Sequence, residues 1–127
     1  MRVEQEDDEM RIILDGMGGD NAPAAVVEGA VLAMKEMPHE IVFVGQEEVI
    51  REELKKYKYN EAQVSIVDAR EVISNDEAPV RAVRSKKDSS IVKGINMVKN
   101  GEGDIFISAG STGALLSGGL FILGRIQ

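Results

Sequence analysis

Short apolar runs alternate with amphipathic stretches along the chain. RIILD (11–15), EIVFVG (40–45), QVSIVDA (63–69) and DIFISAG (104–110) are runs rich in Ile, Val and Phe, the profile of buried strands. Between them lie segments of helical period. In NAPAAVVEGAVLAMKEMP (21–38), Val27, Ala30, Val31, Met34 and Met37 share one face, Asp20 or Asn21 can cap the start, and Pro23 fits a first turn. QEEVIREELKKYK (46–58) turns Val49, Ile50 and Leu54 inward, with its acids early and its bases late. DSSIVKGINMVKNGE (88–102) takes Asp88 or Ser89 as cap and Gly101 as stop. DEAPVRAVRSKK (76–87) reads as a short helix or a loop, and STGALLSGGLFILGRIQ (111–127) opens a last helix loosened by Gly118 and Gly119. Strands alternating with helices predict right-handed βαβ units in an α/β fold: a three-layer, Rossmann-like arrangement around a mostly parallel sheet covered on both faces.

Composition narrows this picture. The 127 residues suit one domain, 43% are hydrophobic, and there is no cysteine. A disulfide scaffold, a thiolate metal site and a cysteine nucleophile are therefore excluded. No apolar run reaches the roughly 20 residues of a spanning helix, and the acidic start is unlike a signal peptide; a cytoplasmic protein is expected. Residues 1–9, MRVEQEDDE, carry five acids against one base and form an expected disordered tail, so the folded body begins at Met10. Of the net charge of −7, residues 1–9 carry −4, and the remaining −3 on the body argues against general nucleic-acid binding.

Two glycine-rich stretches stand where strands pass into helices: DGMGGDNAP (15–23) and SAGSTGALL (108–116). In an open parallel sheet, ligands bind beyond the carboxyl ends of the strands. Glycine lets backbone approach a ligand, and a helix start offers unpaired N–H groups and positive charge. Asp15, Gly18, Gly19, Asp20 and Asn21 in the first stretch, and Ser108, Gly110, Ser111, Thr112 and Gly113 in the second, are thus candidates for holding an anion, phosphate first. Such turns also serve as packing devices alone. The spacing is neither the dinucleotide fingerprint nor the Walker phosphate loop. A third stretch, PVRAVRSKKDSS (79–90), sets Arg81, Arg84, Lys86 and Lys87 against the single acid Asp88. It is an anion clamp, a dock for an acidic partner, or a solvated basic face. His39, the only histidine, reads as a surface turn residue. Asp15 and Asp20 are better explained by capping and loop hydrogen bonds than by a Mg²⁺ site.

MRIILDGMGGDNAP, EAPVRAVRSKKDSS and SAGSTGALL, in this order, resemble the PlsX family, the phosphate acyltransferases of bacterial phospholipid synthesis. The resemblance covers residues 10–127. It implies transfer of a fatty acyl group from the thioester of acyl carrier protein to inorganic phosphate, without metal or organic cofactor. It also implies a homodimer of the isocitrate/isopropylmalate dehydrogenase-like group, with peripheral membrane association in the full-length protein. On this basis Arg84, Lys86, Ser111 and Thr112 are the expected catalytic residues. Asp15, Gly18, Gly19, Asp20, Asn21, Arg81, Lys87, Ser108, Gly110 and Gly113 are expected to bind substrate. Ser111 stands where the family often has Asn, and Asn21 where it often has His. Family members run longer, so an N-terminal portion, with its C-terminal remainder absent, is expected. A phosphate-binding module without catalysis is the alternative from another class, and a nicotinamide dehydrogenase of related fold is a third.

Overall fold

The computed structural model describes residues 9–74 and 76–110. The expected tail before residue 9, the last helix, and Ser111, Thr112 and Gly113 lie outside the described residues. Four strands, β1 (Arg11–Asp15), β2 (Glu40–Gly45), β3 (Val64–Asp68) and β4 (Ile105–Ile107), form one sheet in the order β3-β2-β1-β4. Every pairing is parallel, with Ile12 opposite Ile41 on one side of β1 and opposite Ile105 on the other. The helices are α1 (Ala24–Met34), α2 (Glu47–Leu54), α3 (Pro79–Ser85) and α4 (Ser90–Lys99). A 3-10 turn at Glu61–Gln63 leads into β3. The expected three-layer α/β architecture is what the chain forms.

Residue alternation along the strands explains the layers. Ile12, Ile41 and Phe43 meet Val27, Ala30, Val31 and Met34 of α1 and Ile50 and Leu54 of α2 on one face. Ile13, Val42 and Val44 point the other way, against Met97 of α4 and Ala69. A third cluster joins α3 to α4 through Ala82, Val83, Ile91, Val92 and Ile95. Successive strand side chains point to opposite faces, so a strand covered on both is apolar throughout. Each fully buried Val, Ile or Phe contributes about 1.5–3 kcal/mol from surface removed from water.

The element ends differ from the sequence reading for local reasons. Helix α1 starts at Ala24, and its N-cap is Pro23, which offers no side-chain cap; neither Asp20 nor Asn21 supplies one. The chain is still turning there, and the Asn21 carbonyl accepts from the Ala25 N–H at 3.0 Å. The helix also ends before Pro38, at Met34, and α2 ends at Leu54, short of 58. The fourth strand is only three residues long, because its tail bends into the second glycine loop. Segment 76–87 resolves as a helix, α3, with Pro79 in its first turn. Helix α4 starts as expected: Ser89 Oγ accepts from the Val92 N–H at 3.2 Å, and Gly101 follows its end at φ +79°. His39 does more than sit in a turn, since its Nδ1 accepts from the Met10 N–H at 3.0 Å.

Gly94 lets α4 lie directly on β4. A Cβ there would stand 2.2 Å from the Phe106 ring, whereas one on Gly29 of α1 would meet nothing within 4 Å. Gly94→Ala is therefore expected to destabilise the chain by about 1–3 kcal/mol through overpacking. Gly29→Ala should stabilise it by about 0.5–1 kcal/mol through helix propensity. Urea unfolding of the two variants beside the parent checks both signs.

Candidate functional site

The strand order positions the site. From β1 the chain builds outward through β2 and β3, then returns to the far side of β1 for β4. The reversal lies between β1 and β4, and ligands of open α/β sheets bind in the crevice at that point, beyond the strand carboxyl ends. Both glycine loops leave the sheet there.

A single hydrogen-bonded chain locks the two loops together. The Asp15 side chain, 1% exposed at the end of β1, accepts through Oδ1 from the Met17 N–H at 2.9 Å. Its Oδ2 accepts from the Ser108 hydroxyl at 2.7 Å. Ser108 Oγ in turn accepts from the Gly110 N–H at 2.9 Å. A buried carboxylate must be partnered, and hydrogen bonds to a charged group are worth about 1.5–3 kcal/mol each. Each loop thus supplies part of what the other needs. The approach is close enough to require glycine: a Cβ on Gly18 would lie 2.8 Å from both Asp15 Oδ2 and the Gly110 nitrogen. Gly19 adopts φ +93°, a conformation that side chains disfavour.

Between the loops and the start of α4 opens a cleft of about 360 Å³. Asp15, Gly18, Gly19, Asp20 and Gly110 line it, together with Val72, Ile73 and Ser74 of the loop after β3 and Ser90 and Ile91 of α4. The structure therefore gathers Asp15, Gly18, Gly19, Asp20 and Gly110 at one place, with Ser108 directly behind. Asn21 does not line the cleft. Among the described residues, no group of three or more His, Asp or Glu side chains converges as a metal site.

The basic segment is distributed differently. Arg81 and Arg84 line a separate, shallower hollow on α3 with Ala78, Val80 and Ser85. Lys87 is exposed beyond the end of that helix. Lys86 turns inward: its Nζ donates to Glu77 Oε2 at 2.7 Å and to the Val72 carbonyl at 3.0 Å. It braces the loop that forms one cleft wall. Glu77 is consequently held below its ordinary value of 4.5, first by the Lys86 hydrogen bond and then by the Ser74 N–H. Asp88 is lowered by its bond from Lys93 and by the Arg70 N–H, and Glu48 falls to about 2 beneath the Arg70 guanidinium.

Ser90 and Ser74 escaped the sequence reading. The signal for Ser90 was present, in the helix start at 88–90, but its neighbours Asp88 and Ser89 were read only as caps. That this helix start reaches the same cleft as the glycine loops is a property of the topology.

Two outcomes are expected. Ser108→Ala leaves Asp15 Oδ2 and the Gly110 N–H without their partner, at a cost of about 1–3 kcal/mol. Urea unfolding reads the loss, and faster hydrogen exchange at Gly110 locates it. Lys86→Met should raise the Glu77 pKa toward 4.5, read by carboxyl NMR titration. Because the folded value lies below the unfolded one, the parent holds this contribution above pH 4.5 and loses it as pH falls through the folded pKa. The Lys86→Met variant should show less of that acid-dependent loss.

Comparison with known proteins places this geometry in context. A profile of the family described as fatty acid synthesis protein matches residues 10–127. A phosphate acyltransferase of Clostridioides difficile (strain 630) is 50% identical over 118 residues, covering 93% of this chain and 35% of its own length. One from Clostridium kluyveri (strain NBRC 12016) is 55% identical over 118 residues, with the same coverage. One from Clostridium botulinum (strain Alaska E43 / Type E3) is 56% identical over 119 residues, 93% of this chain and 36% of its own. The chain spans about a third of the length of the curated relatives it matches. With a glycine-loop cleft at the strand ends and a family match over all but its first nine residues, the chain belongs to the fatty acid synthesis protein family, the PlsX family.

Proposed function

We propose that this chain carries the phosphate-side half of an acyl transfer, from the thioester of acyl carrier protein to inorganic phosphate. The observation that carries the reading is the convergence of two glycine loops on one cleft, held by the Asp15–Ser108 bond, in a chain half identical to phosphate acyltransferases. A phosphate oxygen attacks the thioester carbonyl carbon and the carbon–sulfur bond breaks. The proton of hydrogen phosphate goes to the departing sulfur, leaving acyl phosphate and the free carrier thiol.

No protein nucleophile is required for this chemistry. The need is to hold an anion against a carbonyl and to stabilise the oxyanion that develops. Gly18, Gly19 and Gly110 are suited to it, since their backbone can come close to a ligand. Asp15 and Ser108 act as positioning residues, Asp20 lines the rim of the cleft, and Asn21 lies just outside it. Ser111, Thr112 and Gly113 directly follow Gly110 in the sequence and are proposed as further donors to the substrate. Arg81 and Arg84 on α3, and Lys87 just beyond its end, present a basic surface to the acidic carrier protein. Lys86 acts indirectly, through the cleft wall it braces.

The test is free-thiol release from acyl-acyl carrier protein with and without phosphate, run beside the Clostridium kluyveri relative. Phosphate-dependent release is expected. Release that ignores phosphate, or none where the relative is active, overturns the reading for this chain. Within it, Arg84→Ala should raise the KM for the carrier protein at least tenfold, with the effect shrinking as salt is added. A KM that stays at the parent value removes α3 from docking.

A further inference from the structure

The cleft contains a group that nothing in the fold uses. Ser90 is the first residue of α4 and is 3% exposed, yet it lines the cleft. Its neighbour Ser89 caps the helix, with Oγ accepting from the Val92 N–H. The Ser90 hydroxyl makes no hydrogen bond among the described residues. Its backbone N–H is satisfied by the Glu71 carbonyl at 3.3 Å, while the N–H of Ile91, also on the cleft, finds no acceptor among them. The residue is buried, but its oxygen is not sealed off with the core, so it is open to a ligand in the cleft. Helix α4 is ten residues long, so its N-terminus carries the partial positive charge of a full helix.

We infer that Ser90 and the N-terminus of α4 form the subsite for the phosphate that attacks, a tetrahedral oxyanion held by neutral donors. This rests on the acyl-transfer reading and adds to it a residue and an element outside both glycine loops. Three features favour a small oxyanion over other ligands. The hydroxyl and the unclaimed Ile91 N–H belong to adjacent residues, a spacing suited to two oxygens of one tetrahedral group. Asp15 is already engaged, with Met17 on one oxygen and Ser108 on the other, so its lone pairs are turned to protein donors. The nearby ammonium groups are engaged as well: Lys86 with Glu77, and Lys93 with Asp88 at 2.7 Å and the Asp68 carbonyl at 2.7 Å. Binding by helix and hydroxyl dipoles leaves the oxyanion less neutralised than an Arg or Lys clamp would, which preserves its nucleophilicity.

The phosphodiester of the carrier protein's prosthetic arm has similar chemistry, and kinetics separate the two. Ser90→Ala should raise the KM for inorganic phosphate about tenfold or more, as expected for loss of a hydrogen bond to a charged group. The KM for acyl carrier protein should stay within twofold. A rise in the carrier KM alone assigns the hydroxyl to the arm and overturns the proposal. Binding is read independently of turnover by calorimetric titration of this chain with inorganic phosphate, with Ser65→Ala as the control that loses a hydroxyl elsewhere. Ser90→Ala should weaken binding about tenfold and Ser65→Ala should not. Equal affinity in all three chains, or no binding to the parent, overturns the subsite. Should Ser90→Ala fail to fold, the Ile91 amide resonance of the parent decides. It should shift on phosphate addition, and a stationary resonance overturns the proposal. Phosphate binding without thiol release keeps the subsite and sinks the acyl-transfer reading; release with an unchanged phosphate KM in Ser90→Ala does the reverse.

Discussion

The Asp15 carboxylate, buried at the end of the central strand, sets the terms for everything around it. It has to be satisfied where it stands, and its two acceptors reach in opposite directions, one along its own loop to Met17 and one across to Ser108. The second bond makes the ends of β1 and β4 a single structural unit although they are 93 residues apart. That in turn forces the loops so close that position 18 has no room for a side chain. The glycines are a consequence of the clamp before they are anything else. Whatever the cleft binds, its two lips are set at a fixed distance by a buried charge-assisted bond, and a pre-set geometry avoids ordering costs at the moment of binding.

The fold was largely legible because its signals are local. RIILD and EIVFVG appear in the structure with their predicted ends, since β-branched runs covered on both faces leave little choice. The buried residues Val27, Ala30, Val31 and Met34 of α1 and Ile50 and Leu54 of α2 follow from period, whereas Val49, expected inward, is only half-buried and stands outside the core cluster. Helix ends were less legible. The stretch before Ala24 was read as capped by Asp20 or Asn21, yet the chain there is occupied in turning out of the cleft, and Pro23 takes the cap position without a side-chain bond. The short β4 was overestimated because its apolar run continues into residues whose backbone is committed to the second glycine loop.

The candidate site was legible only in part, for a reason that is physical. A sequence displays which residues have suitable chemistry but not which of them are already spent. Arg81, Arg84, Lys86 and Lys87 read as one basic cluster. In the fold, Lys86 is bound to Glu77, nine residues earlier, and does not line the α3 hollow that Arg81 and Arg84 share. Conversely, Asp88 and Ser89 read as alternative caps of α4. Both are consumed, by Lys93 and by the Val92 N–H, and the uncommitted hydroxyl is the next one along. Ser90 becomes visible only after the partners of every neighbour have been assigned.

This assignment bears on how an acidic chain could handle an anionic substrate. If the arginines of α3 lined the cleft, they would hold an oxyanion tightly, but at the cost of the electron density that makes it a nucleophile. Among the described residues, Arg81 and Arg84 line a different hollow, and Glu77 and Asp88 hold Lys86 and Lys93 in ion pairs. Among the described residues the cleft is lined by a helix start, glycine backbone, the Ser74 and Ser90 hydroxyls and the carboxylates of Asp15 and Asp20; the helix start, backbone and hydroxyls are groups that orient an anion without neutralising it. Long-range attraction and short-range positioning would then fall to different elements. The first is sensitive to salt and the second is not, because the Debye length of about 8–10 Å screens α3 in solvent far more than donors inside a partly enclosed cleft. Encounter and chemistry can in that arrangement be tuned independently, with the Asp15–Ser108 clamp as the fixed reference between them.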